Sequence, residues 1–281
     1  MPLSASLGYP GCAALRPFSP MDRERKEMRM KNRWLCLLLA LLLTASMPAA
    51  ALAQERGYET PEACAQALFD ALQTQDVALM ESCMAFEEMA AGFDYQAQAE
   101  RMKSAPTFVF QLPATDAFTE IYNVETMRRN WYMRVSSLIL YAADPALAAL
   151  LFDGKTYSVS SEEYTTILAS VDSLDTDNVL ADYEYQGTIA PSEISAAADA
   201  YAKQEMQERL QSTMACWGID TFTELAMVVQ KTGGSLFNGK ITYILPVRFV
   251  QVDGRWLIDP NGSMLGSILG LRSTDLVMEM P

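Results

Sequence analysis

The sequence predicts an α+β chain that is rich in helix, with antiparallel strands and a large helical middle segment. Two observations predict it. Apolar residues recur three or four positions apart between Thr60 and Met84, and again between Asp116 and Ala142, which is the helical period. From Ile241 onward the period falls to two on either side of the turn pair Asp253–Gly254, which is the signature of a hairpin.

Thr60 is placed as an N-cap, Pro61 as the first helical residue and Glu62 as a first-turn acid. Cys64, Ala67, Leu68, Ala71 and Leu72 follow at helical spacing. Asp76 caps a second helix that turns Val77, Met80, Cys83 and Met84 inward, so the two make a helical hairpin. A long helix starts near Asp116 and carries Phe118, Ile121, Val124, Trp131, Val135, Leu138 and Ala142 on its inner face, until Asp144 and Pro145 interrupt it. Asp153 and Gly154 mark a turn. Ser160 with Glu163 fits a capping box for a helix whose inner face is Tyr164, Ile167, Leu168, Val171 and Leu174. Pro191 opens a helix reaching about Met214, and Thr221 or Thr223 starts a shorter one ending before Gly233 and Gly234. The closing hairpin pairs Ile241 to Val252 with Arg255 to Ile258, and Pro246 within it requires a sheet edge or a bulge. Phe108 to Leu112 and Tyr183 to Ile189 are further strand candidates.

The first 53 residues differ from the rest. Arg23, Arg25, Lys26, Arg29, Lys31 and Arg33 form a basic run, the uncharged stretch Trp34 to Leu43 follows, and Ala51 and Ala53 stand as an A-x-A cleavage site before Gln54. That order reads as a secretory signal peptide, with translation starting at Met1, Met21, Met28 or Met30 and cleavage after Ala53. The rival reading is an uncleaved anchor, since Trp34 to Ala53 has the length of a span; Pro48 and the weakly apolar tail argue against it. Residues 54–281 are then a single exported domain, secreted or extracytoplasmic, with a helical insertion at about 114–232.

Charge and composition narrow the chemistry. The 281 residues carry 21 basic and 35 acidic groups and no histidine. Seven basic and three acidic groups lie within residues 1–53, so the remainder holds 14 against 32, a net charge of −18. Such a surface repels phosphate backbones, and nucleic acid is a poor partner. Without histidine, Ser-His-Asp and Cys-His triads, His-ligated zinc and the commonest general base near neutral pH are all excluded.

Several constellations remain. Arg128, Arg129 and Arg134 interleave with Trp131 and Tyr132 on the long helix, the composition of an anion or carboxylate clamp; the alternative is ion pairing to an acidic neighbour with Trp131 in the core. Cys64 and Cys83 lie at similar heights on the two helices of the first hairpin, where a bridge or two small buried residues both fit, while Cys216 reads as buried and inert. Asp172, Asp175, Asp177 and Asn178 gather oxygen ligands but lack the glycine and terminal glutamate of a calcium loop, so no metal is expected. Tyr183 and Tyr185 alternate with Asp182 and Glu184, which fits either an ordinary strand or an Asp/Tyr proton-abstracting pair. Gly233, Gly234 and Gly239 form no phosphate loop, and no cofactor is expected.

Two segments resemble the ends of a secreted nuclear transport factor 2-like (SnoaL-like) domain. The opening TPEACAQALFDALQTQDVALMESC, Thr60 to Cys83, is similar to the family's first helices; the ending PVRFVQVDGRWLID, Pro246 to Asp259, is similar to its closing strands. The resemblance implies a curved antiparallel sheet wrapped on the helices as a cone whose mouth holds a small ligand. It also implies that members range from isomerases and dehydratases to noncatalytic binding domains. The expectation is therefore a noncatalytic binding or accessory domain for a small apolar ligand or an envelope protein. The alternative is a cone-pocket isomerase or dehydratase using Asp and Tyr.

Overall fold

Thr60 caps the first helix through its hydroxyl, which accepts from the Ala63 amide, and Pro61 occupies the first helical position where no N–H is needed. The computed structural model describes residues 56–103, 111–144, 160–173, 178–232, 241–271, 276 and 278–280. Helix α1 spans Pro61–Thr74 and buries Cys64, Leu68, Phe69 and Leu72; Gln75 closes it in the left-handed region. Asp76 caps α2, Val77–Ser82, and completes the hairpin, although Val77 itself is exposed. Helices α3, Phe86–Gly92, and α4, Tyr95–Met102, follow.

The long helix is α5, Ala117–Ala143. The Asp116 carboxylate accepts from the Phe118 and Thr119 amides, and the Thr119 hydroxyl accepts from the Asp116 amide in return. Its buried side is Asn123, Met127, Trp131 and Leu138, whereas Phe118 and Ile121 face solvent. Helix α6 spans Ser161–Asp172, with Leu168 and Val171 exposed rather than turned inward.

The sheet is antiparallel and curled, in the order β1-β2-β3-β4: β1 is Tyr183–Ile189, β2 Phe222–Lys231, β3 Ile241–Val252 and β4 Arg255–Ile258. A short strand β5, Met278–Met280, pairs with β3 through Ile244 on the same edge as β4. The class is α+β, with a curved sheet packed on helices. A bulge between Tyr185 and Gly187 bends β1.

Two sequence expectations change here. Residues 222–231, expected to open a helix, form the central strand β2. Leu225, Met227 and Val229 pack into the main core while Ala226 and Val228 pack against the opposite cluster, so burial on both faces hides the period of two. Ladders on both sides override the helix-forming Glu224, Leu225, Ala226 and Met227. The segment expected as one helix from Pro191 to Met214 is a 3₁₀ turn, Pro191–Glu193, then α7, Ala198–Tyr201, then α8, Gln204–Ala215. Segment 114–232 thus supplies two strands as well as helices.

Pro246 sits inside β3 without breaking it. The Arg248 carbonyl accepts from the Asp259 amide on the β4 side, and Pro246 shares its parity. The missing N–H therefore falls in the gap between β4, which pairs with residues 249–252, and β5, which pairs with 242–244.

The sheet is covered on both faces. On the inner side α1 and α5 close over Met227, Val229, Leu245, Val247 and Phe249. On the outer side Ile194, Ala197 and Leu265 cover Ala226 and Ile244, with α9, Met264–Ile268, as part of that cover. The outer edge of β4 is capped by the start of the described chain: Tyr58 and Trp256 exchange both backbone hydrogen bonds, the Ala85 amide donates to the Ile258 carbonyl, and the Ile258 amide donates to the Cys83 carbonyl. The two segments that carry the family resemblance are thereby neighbours in space.

Residues 1–55 lie outside the described residues, and with them the leader and its cleavage site. So do Asp153, Gly154, Leu174, Asp175, Asp177, Gly233, Gly234, Gly239 and most of the strand candidate Phe108 to Leu112. Among the described residues no helix is long and apolar enough to cross a membrane.

Candidate functional site

The mouth of the curved sheet is a cleft between α1, the last turns of α5 and the inner faces of β1 to β3. Phe69, Leu138, Tyr141, Tyr183, Val229 and Tyr243 line it, and its volume is about 20 Å³. Its walls are almost wholly apolar. The rings of Tyr183 and Tyr243 lie 5.8 Å apart, Phe69 stacks on Tyr185 at 5.7 Å, and the Lys231 ammonium sits 5.0 Å over the Tyr183 ring. Burial raises the phenol of Tyr183, and burial together with Glu62 and Asp70 pushes that of Tyr185 up to about 12, so both stay protonated at neutral pH. Asp182 and Glu184, the acids that alternate with these tyrosines, are exposed. No carboxylate joins the described lining of the cleft.

The five residues of the sequence-predicted clamp divide between two faces of α5. Arg128 pairs with Glu81 at 2.9 Å, with Glu87 at 3.6 Å and with Glu125, and lies over the Phe86 ring. The Tyr132 hydroxyl donates to Glu81 at 2.6 Å, and burial together with that carboxylate pushes its phenol up to about 12. These two fasten α5 to α2 and α3. Arg129 is exposed, in an open groove that it shares with Arg128, Tyr132, Glu125, Met133 and Ser136, so three of the five line one groove. Trp131 and Arg134 turn the other way, into the protein, where the guanidinium lies 5.3 Å over the indole. The ion-pairing alternative describes Arg128, and Trp131 and Arg134 lie apart from the groove of Arg128, Arg129 and Tyr132.

Cys64 and Cys83 do meet. Both are buried free thiols; Cys64 Sγ donates to the Cys83 carbonyl at 3.8 Å, and Cys83 Sγ shares a hydrogen bond with the Tyr58 hydroxyl at 3.4 Å. The hydrogen bond from Cys64 lowers the Cys83 thiol, and the same contact, with burial, raises that of Cys64. Cys216 is buried, its thiol donating to the Ser212 carbonyl.

One cluster has no counterpart in the sequence reading. Arg248 on β3 donates Nε to Glu224 on β2 at 2.9 Å and Nη1 to Asp259 at 2.7 Å, with both carboxylate side chains fully buried. Glu224 also accepts from the Met264 and Leu265 amides at the start of α9, and Asp259 accepts from the Asn261 amide. Burial alone would lower the Arg248 guanidinium, but Asp259 and Glu224 outweigh it and hold it above its ordinary value. Burial raises the Asp259 carboxyl against the opposing pull of Arg248. The available signal was a lone arginine in the otherwise apolar series Ile244, Pro246, Arg248, Val250. With both carboxylates accepting from Arg248 and from the backbone amides of Asn261, Met264 and Leu265, the cluster fixes structure. Among the described residues no group of three acids or thiols is placed to hold a metal ion.

No protein-family profile matches the sequence, and no curated protein matches it. A solved structure, that of a cystatin-like protein from Ruminococcus gnavus ATCC 29149, is similar with a TM-score of 0.38 at 13% identity, covering 78% of this chain and 44% of that one. The present chain thus spans less than half the length of that protein.

Proposed function

We propose that the chain is an exported, noncatalytic domain of the nuclear transport factor 2-like kind that binds a small apolar ligand at the mouth of its curved sheet. The observation that carries this reading is the cleft lined by Phe69, Leu138, Tyr183 and Tyr243, apolar and open beside a partly exposed Tyr141. At about 20 Å³ it accommodates little more than one water-sized group, so a ligand enters by displacing the Tyr141 ring from the last turn of α5. The alternative, an Asp/Tyr isomerase or dehydratase, needs a carboxylate beside the bound substrate, and the acids nearest the cleft tyrosines in sequence are exposed. The leader and the acidic surface support action outside the cytoplasmic membrane.

The test is the native mass of the protein secreted by a Gram-positive host expressing the full chain. The reading predicts a polypeptide beginning at Gln54 that carries a small molecule released by organic solvent. A bare polypeptide that takes up no neutral apolar compound contradicts it, as does a full-length species retained in the membrane.

A second partner, an envelope protein, is favoured by the start of α5, where Phe118 is 86% and Ile121 60% exposed on adjacent turns. Replacing both with serine would then abolish capture by that protein while leaving binding in the cleft intact.

A further inference from the structure

Val229 lines the apolar cleft, and Lys231 stands two residues further along β2. Its side chain therefore leaves the strand on the face that carries Leu225, Met227 and Val229. The ladder sets it directly opposite Tyr183 on β1 and Ile241 on β3. Cross-strand partners share a face, so Lys231 continues the row of cleft residues at the rim. Its ammonium lies 5.0 Å over the Tyr183 ring, and that ring is a wall of the cleft.

This charge is unanswered. Among the described residues no carboxylate lies within ion-pair distance of Lys231, although acids outnumber bases 32 to 14 in residues 54–281. Asp182, close by in the ladder, holds Thr232 through its backbone: its carbonyl accepts from the Thr232 amide at 2.7 Å and from the Thr232 hydroxyl at 3.1 Å, while its side chain is exposed. A lysine that shields a ring lays its methylene stem there and carries the ammonium out to water. Here the ammonium itself lies over the ring of a partly buried residue pair.

We propose that the ligand of the cleft is an apolar monocarboxylate, with its carboxylate paired to Lys231 at the rim and its hydrocarbon body among Phe69, Leu138, Tyr183 and Tyr243. The assignment rests on the cleft being a ligand site and adds the headgroup to that reading. A headgroup at the rim needs none of the 20 Å³ inside, and the hydrocarbon enters as the Tyr141 ring moves aside. One ammonium suits one negative charge; a phosphate would call for further donors, and no charged residue joins the described lining. The acidic surface repels anions at a distance, so the selection is local, made where water is partly excluded and the ion pair is correspondingly stronger.

Octanoate and 1-octanol share a chain length and differ in the headgroup, and their displacement of N-phenyl-1-naphthylamine from the purified protein at pH 7 compares them. Octanol is the more apolar and is preferred by a cleft without a cation. Octanoate is expected to displace the probe at a concentration at least about threefold below that of octanol. Lys231→Met keeps the stem without the charge and is expected to reverse that order, whereas Lys231→Arg is expected to keep it. Lys231→Gln gives the same reading should the methionine variant fail to fold. A preference for octanol in the unaltered protein, or a preference for octanoate that persists without the Lys231 charge, overturns the carboxylate assignment and leaves a neutral ligand standing. Displacement by neither compound, or a probe that does not bind, overturns the ligand site and the assignment together.

Discussion

Arg248 Nη1 and Asp259 Oδ2 lie 2.7 Å apart with both side chains buried, and Glu224 completes the triad at 2.9 Å from Arg248 Nε. This arrangement joins β2, β3, the end of β4 and the start of α9 through one guanidinium. Removing Arg248 leaves two buried carboxylates without their counter-charge, whereas neutralising all three groups does not. Arg248→Met alone should cost about 3–5 kcal/mol in urea unfolding. Adding Glu224→Gln and Asp259→Asn to that variant should recover most of the loss, and equal destabilisation in the single and triple variants would count against the triad.

The acid limb of stability should depend on Asp116. Hydrogen bonds from the Thr119 and Phe118 amides hold its carboxyl below the ordinary value of 3.8. A carboxyl lowered in the folded state stabilises the fold above its unfolded value, and that contribution is lost as pH falls through the lower, folded value. Asp116→Asn should preserve the cap at pH 7 and flatten the loss of stability below about pH 4, whereas Asp116→Ala should lose the cap at every pH. Thermal unfolding from pH 2 to 7 distinguishes the three proteins.

Close backbone contact fixes Gly92. A Cβ at this position would lie 2.3 Å from the Trp217 carbonyl oxygen, where the end of α3 meets the turn after α8 and the Asp94 amide donates to the Cys216 carbonyl. Gly92→Ala should destabilise by about 1–3 kcal/mol, because backbone rather than a flexible side chain must yield. Trp217, whose ring lies 4.5 Å from that of Phe93, should report the disturbance in its fluorescence. An unshifted emission with unchanged stability would refute this account of the contact.

Cys64 and Cys83 are already in contact, with Cys83 the readier thiolate. In an oxidising location we expect them to join, lowering the intact mass by two hydrogens and protecting both from alkylation in denaturant, while Cys216 alone is labelled. The closed loop is short, and reduction should cost about 3 kcal/mol. Labelling of all three cysteines in freshly secreted protein would show that the pair stays reduced.

Legibility in the sequence followed the local signals. The caps at Thr60, Asp76 and Asp116, the strand Tyr183–Ile189 and the hairpin from Ile241 to Ile258 were readable because each carries its own capping residue, turn pair or alternation. Strand β2 was not, because both its faces are buried and its residues favour helix when read alone. The split of the arginines on α5 was half legible: their spacing forbids one face, but only the fold shows that Arg128 meets Glu81 and that Arg134 turns inward to Trp131. The Arg248 triad joins residues from three separate segments, a relationship no local pattern encodes.

The apolar cleft is the centre of this account, and a fluorescence titration with the neutral probe N-phenyl-1-naphthylamine addresses it most directly. Ala142, half-buried at the cleft mouth in the last turn of α5, offers a way to plug it without placing a charge in the core. Saturable binding of one probe per chain, abolished by Ala142→Phe at an unchanged melting temperature, is the result predicted. Binding that does not saturate, or that survives in Ala142→Phe, would contradict a ligand site at the mouth of the sheet.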